Sequence, residues 1–184
     1  MGQEKKAASP DRLQGKLYCL DTDRSVQTKI CPVDISNGLS WTSDNKTMYY
    51  CDSLKKTIDA YDYDINTGEI GNMREAVRFD EKTDGIPDGH CIDADGNIWV
   101  AMFFTGQVIK ADPRTGEKLQ YVKVSDTALK TTSVCFGGQN FDEMYVTSAR
   151  NKPLMEPIEN DLSGGLFKIT GLGVRGLPAN EYEG

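Results

Sequence analysis

The 184-residue chain is 38% hydrophobic and 27% charged with 18 Gly, a composition that suits one turn-rich globular domain with a core of its own. Its formal net charge of −7, with 21 Lys and Arg scattered rather than striped, argues against nucleic acid or an anionic membrane surface as partner. No apolar run approaches the ~20 residues needed to cross a bilayer, and the polar start Met1-Gly2-Gln3-Glu4-Lys5-Lys6 lacks the apolar segment of a secretory signal, so a cytoplasmic protein is expected. The five cysteines, Cys19, Cys31, Cys51, Cys91 and Cys135, are odd in number and contain no Cys-x-x-Cys, so they read as reduced and mostly buried thiols.

Along the chain, residues 1–14 are polar and unpatterned, an arm or loop preceding one domain over 15–184. Gly15 to Leu20 reads as a strand, with Ser25 to Ile30 as its hairpin partner. A fuller unit follows: Gly38–Thr42, Met48–Asp52, Thr57–Tyr63, and Ala76–Phe79 as outer strand. The next spans about 86–125, ending in Tyr121-Val122-Lys123-Val124. A third begins near Thr131 and closes with Lys168-Ile169-Thr170, after an insertion at 151–164 that reads as a surface loop. No stretch of useful length has helical periodicity.

The units are variations on one theme. Ile35-Ser36-Asn37-Gly38-Leu39, Ile86-Pro87-Asp88-Gly89-His90 and Lys130-Thr131-Thr132-Ser133-Val134 each precede a turn and an aromatic strand: Met48-Tyr49-Tyr50, Ile98-Trp99-Val100 and Met144-Tyr145-Val146. Asn37 and Asp88 lie 51 residues apart, and Asp88 and Thr132 lie 44 apart. The turns Asp64-Ile65-Asn66-Thr67-Gly68-Glu69 and Asp112-Pro113-Arg114-Thr115-Gly116-Glu117 repeat with a 48-residue offset. Several short strands per period of this length are the mark of β-propeller blades. The chain is therefore all-β, with about three and a half four-stranded blades. Closed propellers hold four to eight, so an incomplete ring is expected, with self-association through its open sheet edges.

The first strand of a blade lines the central channel, which places Asn37 and Asp88 side by side there. An amide carbonyl and a carboxylate are hard oxygen donors that suit Ca²⁺, Mg²⁺ or Mn²⁺ and accept Zn²⁺. Isolated Asn-Gly and Asp-Gly are more simply turns, but each of these heads a β-rich strand and has an ordinary hairpin turn after it. His90 falls on the same strand face as Asp88 by alternation and either approaches a ligand or packs; without it no serine has a histidine partner. Asp62–Gly68 mimics a calcium loop, but Gly comes seventh and strands flank it, so it reads as a hairpin, as does Asp93–Asn97. Trp41 and Trp99 read as core between blades.

On Asp34-Ile35-Ser36-Asn37-Gly38-Leu39, Ile86-Pro87-Asp88-Gly89, Lys130–Ser133 with Cys135-Phe136-Gly137-Gly138, and Phe167-Lys168-Ile169-Thr170-Gly171-Leu172-Gly173-Val174, the chain resembles the regucalcin, gluconolactonase and luciferin-regenerating-enzyme family. The likeness runs from about residue 14 to Gly184. It implies a six-bladed propeller that holds one divalent metal ion (Ca²⁺, Zn²⁺, Mn²⁺ or Mg²⁺) and hydrolyses small sugar lactones. It further implies Asn37 as a metal ligand, Asp88 as metal ligand and acid/base, and Glu4 on a substrate-contacting glutamate. The family's third metal-ligand glutamate and its arginine–asparagine sugar clamp match nothing here. The chain thus looks like the C-terminal portion of such a protein, and a catalytically weak or inactive calcium-binding regulator, or a hydrolase of the luciferin-regenerating type, stands as the alternative.

Overall fold

The computed structural model describes residues 12–150 and 159–179. Thirteen strands and no helix appear among them, arranged as four antiparallel sheets. A half-blade pairs β1 (Gly15–Leu20) with β2 (Val26–Val33). The first full blade runs β3 (Ser36–Trp41), β4 (Thr47–Asp52), β5 (Thr57–Asp64), β6 (Glu69–Arg78), and the second runs β7 (Ile86–Ile92), β8 (Ile98–Phe103), β9 (Gln107–Ala111), β10 (Lys118–Lys123). The third has β11 (Thr131–Gly137), β12 (Glu143–Ser148) and β13 (Leu166–Ile169), three strands where four are expected.

Burial follows position within the blade. The second strands of the two full blades are covered on both faces by their neighbours, so Ile98 to Met102 in β8 are fully buried and Tyr50 and Cys51 in β4 nearly so. Their continuous apolar runs are what a strand sandwiched between two sheets requires. Alternation decides which neighbour each side chain meets. Tyr49, Cys51, Ile58 and Ala60 of the first blade meet Ile98, Val100, Met102 and Ile109 of the second. On the second blade's other face, Trp99, Ala101 and Val108 pack against Val134, Met144 and Val146. Val33, Leu17 and Ile30 of the half-blade cover Met48, Tyr50 and Trp41.

Outer strands face solvent and obey weaker rules. The outermost strand of the first blade is Glu69–Arg78 rather than the expected Ala76–Phe79, because Glu69 to Glu75 pairs through its backbone and through Asn72 and Arg74 to Asp62, and carries no apolar stripe. Two register irregularities and the charges Arg74, Glu75 and Arg78 blunt this edge against adding further strands. The hairpin read at Asp93–Asn97 follows β7, with a loop wider than the two-residue turn of an isolated Asp-Gly. Asp93 N–H bonds Asn97 O, giving a three-residue loop with Gly96 at φ +82°.

A C-terminal segment that the repeat does not foretell straps the second and third blades together. Ala94 N–H donates to Arg175 O and Gly176 N–H donates to Phe141 O, while Leu172 and Val174 join the core between these blades. Of the cysteines, only Cys51 is fully buried; Cys31 and Cys135 are exposed, against expectation, the latter because its face has no blade beyond it among the described residues. Trp99 is buried core, its indole N–H held by the Asp93 carboxylate at 2.9 Å.

The blades meet most closely at glycines of the channel strands. A Cβ at Gly38 would stand 2.1 Å from His90 Nδ1 and 2.8 Å from the His90 backbone N, and one at Gly89 would lie 2.8 Å from Thr132 O and 2.9 Å from Ser133 Cα. Gly89→Ala is expected to cost about 2 kcal/mol or more by overpacking this junction. Gly71→Ala, on the open outer strand with nothing within 4 Å of the new methyl, is expected to be neutral or slightly stabilising. Urea unfolding of the two variants checks the contrast.

Candidate functional site

Each channel strand carries a β-bulge at the same place. The ladder shifts between Ser36 and Leu39, between Pro87 and His90, and between Thr131 and Ser133, so the extra residue falls at Asn37-Gly38, Asp88-Gly89 and Thr132. A bulge leaves its extra residue unpaired and re-aims its side chain. Neither Gly38 nor Gly89 has positive φ. Asn-Gly and Asp-Gly are thus not turns: the glycine admits the next blade, and the residue before it is turned out of the ladder. The strands β3, β7 and β11 lie beside one another, which brings Asn37 and Asp88 together.

A polar corner at the end of β4 holds Asn37. The Asp52 carboxylate accepts from Asp34 N–H at 3.0 Å and Ile35 N–H at 3.1 Å. Ser53 N–H donates to Ile35 O at 3.1 Å, and Ser53 Oγ accepts from Asn37 Nδ2 at 3.1 Å. Tyr50 OH donates to Ser36 Oγ at 2.7 Å. Arg12 clamps Asp34 through Nε and one terminal nitrogen, and this guanidinium holds the Asp34 carboxyl below the usual range. Asn37 Oδ1 receives no hydrogen bond among the described residues, which leaves its lone pairs to the channel.

Asp88 is half-buried, and that burial pushes its carboxyl up to about 6, while hydrogen bonding from the Asn37 amide and Gly89 N–H pulls the other way. It has no ion pair with a Lys or Arg among the described residues. A carboxylate so placed is short of compensating positive charge at neutral pH. The pair therefore fits part of the shell of a divalent cation: one free amide oxygen and one carboxylate, both hard donors. Among the described residues no group of three or more His, Cys, Asp or Glu side chains gathers as a complete cage.

His90 does not approach the channel site. The bulge interrupts alternation between it and Asp88, and its ring turns between the first two blades, with Nε2 2.9 Å from Ser40 Oγ. Burial drives it down to about 3, so it is neutral. Nδ1 has no partner and lies against Gly38, so the Ser40 hydroxyl at Nε2 is the ring's one hydrogen-bond partner among the described residues. The calcium-loop mimics are turns: Asp64 Oδ1 takes Asn66 N–H, and Asp93 Oδ1 takes Asn97 N–H. Glu4 lies outside the described residues. Sequence reasoning missed Ser53 and Asp52, and the repeat carries no signal for them, since Met102 and Phe103 stand at the equivalent positions of the second blade.

A family model for the SMP-30/gluconolactonase/LRE-like region matches residues 1–150. Regucalcin from Gallus gallus is 49% identical over 185 residues, covering all of this chain and 61% of its own length. Among solved structures, a luciferin-regenerating enzyme superposes with a TM-score of 0.79 at 42% identity, over 88% of this chain and 53% of that one. A calcium-binding regucalcin from Agrobacterium tumefaciens also gives a TM-score of 0.79, at 25% identity over 91% and 56%. The chain spans about three fifths of the length of the curated relatives it matches. With that match and the blade architecture on which it rests, the chain belongs to the SMP-30/gluconolactonase/LRE-like family.

Proposed function

We propose that the chain supplies part of a divalent-metal-dependent lactonase centre in which Asn37 and Asp88 hold the cation and Asp88 is the general base. The supporting observation is the meeting of an unbonded amide oxygen and a raised carboxylate at equivalent bulges of adjacent channel strands. A bound cation, whether Ca²⁺, Zn²⁺, Mn²⁺ or Mg²⁺, would polarise the lactone carbonyl. Asp88 takes the proton from the attacking water, and the protonated carboxyl returns it to the ring oxygen as the C–O bond breaks.

Hydrolysis of a small sugar lactone with added Mn²⁺, Ca²⁺ or Zn²⁺ tests the reading. Asp88→Ala is expected to reduce kcat by about 10²–10⁴-fold. Activity that survives the substitution, or that ignores a chelator, would remove Asp88 and the metal from the mechanism. In the metal-loaded protein the rate should fall with acid as Asp88 takes up its proton, with an inflection below about pH 6 because a bound cation favours the carboxylate.

The raised carboxyl also bears on stability. The folded chain binds Asp88's proton more tightly than the unfolded chain does, so this group's contribution is fully present below about pH 4 and is lost as pH rises through about 6. Asp88→Asn is therefore expected to stabilise the metal-free protein at pH 7 by about 1–2 kcal/mol, the group's partial exposure having been allowed for. Chelator-treated melts at pH 5 and pH 7 check it, because the gain should shrink at the lower pH.

One observation favours a second reading, a calcium-binding regulator without turnover: two protein donors make a sparse site, and the solved relative from Agrobacterium tumefaciens is described as calcium-binding. Calcium binding by titration calorimetry with no turnover of any lactone distinguishes it. We also propose self-association through the uncovered sheets, where Tyr18, Leu20 and Val26 on the half-blade and Leu166 on the third blade are more than half exposed. Sedimentation of the 184-residue chain should then show species above the monomer; a single sharp monomer would refute it.

A further inference from the structure

A second polar cleft opens between the first and second blades, at the end opposite Asn37 and Asp88. It encloses about 390 Å³ and is walled in part by the turns after β3, β7 and β9. A space of that order admits a small metabolite. The ladder of the first blade sets two of its side chains. Tyr49 pairs with Ala60 and Ala60 with Arg74, so the three form one row across β4, β5 and β6 on the face turned to the second blade. A methyl at Ala60 between two long side chains leaves a gap. From the second blade, Gly96 adds no bulk and Arg114 supplies a further wall.

The groups along this gap are donors without enough acceptors. Tyr49 lines the cleft and is 6% exposed, yet its hydroxyl has no hydrogen-bond partner among the described residues. A buried phenol ordinarily has one. Arg74 commits only Nη1, to Asp62 at 2.8 Å and Asn72 O at 3.3 Å. The N–H groups on its Nε and Nη2 have no partner among the described residues. Arg114 is fixed from behind by Asp112, through Nε at 2.7 Å and Nη2 at 3.1 Å, and by Asn97 Oδ1 at 3.4 Å. The carboxylate on the wall, Glu75, is already forked by Arg78.

A phenol hydroxyl, an open guanidinium edge and a second, fixed guanidinium match the oxygen pair of an oxyanion. Asp62 and Asp112 balance the two arginines, so a singly charged group is favoured there over a dianion. We propose that this cleft binds the carboxylate of a small organic acid, which accepts from the Tyr49 hydroxyl and the free edge of Arg74 with Arg114 beside it. The site lies apart from the channel, so it stands or falls independently of the roles given to Asn37 and Asp88.

Saturation-transfer NMR on the chelator-treated 184-residue chain tests the proposal, with D-gluconate as probe and D-glucitol as its neutral counterpart. The two differ at one end only, a carboxylate against a hydroxymethyl group. Gluconate should bind with a Kd on the order of 1 mM, and glucitol at least about tenfold more weakly. Inorganic phosphate should displace gluconate only at higher concentration than gluconate itself requires. Tyr49→Phe, which keeps the ring, should weaken gluconate binding by about tenfold, as loss of a hydrogen bond to a charged group does. Arg74→Met should weaken it by at least as much, and Asp88→Ala should leave it within about twofold. Equal binding of glucitol, no gluconate signal, or unchanged affinity in folded Tyr49→Phe or Arg74→Met would overturn the proposal. Displacement by phosphate at a lower concentration would overturn the carboxylate assignment, and loss of binding in Asp88→Ala would put the acid in the channel instead. Should Tyr49→Phe not fold, Arg74→Met on the exposed outer strand decides alone.

Discussion

Everything in this architecture depends on how closely neighbouring channel strands can approach. Gly38 lies against His90 and Gly89 against the backbone of Thr132 and Ser133, at separations that leave no room for a side chain. Those contacts bring the inner ends of the blades together, and the larger side chains of β4 and β8 fill the widening space farther out. The sheets diverge because the residue volumes between them grow from glycine at the channel to Met102, Trp99 and Met144 at mid-blade. The same approach turns a bulged residue towards its counterpart on the next strand. Glycine at the second bulge position and a candidate ligand at the first are therefore one device in the first two blades.

The site's electrostatics follow from that placement. Asp88 is drawn out of water by the adjoining blades and given an amide and one backbone N–H in compensation, but no cation. Elsewhere the chain does not leave buried carboxylates in this state. Asp84 has Lys118, Tyr121 and the Asp80 N–H, and Asp93 has Lys110, the Trp99 indole and its own turn. Those two are structural pins. Asp88 alone of the three keeps a charge deficit facing open space, and such a deficit is what a bound cation relieves.

Much of the fold was legible because the repeat is written in chemistry of different kinds at once. Apolar runs marked the second strands, Asx and Gly marked the turns at 64–69 and 112–117, and Asn37 and Asp88 recurred at the head of the first strands. The outer strand Glu69–Arg78 was misplaced because both its faces are largely wet, so no apolar alternation was required of it. The C-terminal strap was missed because its contacts are backbone hydrogen bonds and single packed residues with no period. His90 was put on the wrong face for a sharper reason. Alternation counts residues, and a bulge adds one without announcing it. Ser53 could not be singled out, since a serine after a strand has many ordinary uses until its neighbours are known.

The two candidate ligands sit on different sheets, so the gap between them is not fixed by any one sheet's hydrogen bonds. It is fixed by the thickness of the layer that separates the blades: Tyr49, Cys51 and Ile58 on one side, Val100, Met102 and Ile109 on the other. That layer works as a shim. A methylene added or removed there tilts one blade against the next about the glycine contact and opens or narrows the distance across the channel. The ion that fits best would then be chosen as much by aliphatic volume between the blades as by the oxygen atoms that touch it. Relatives with identical ligands could differ in metal preference through residues that never see the metal.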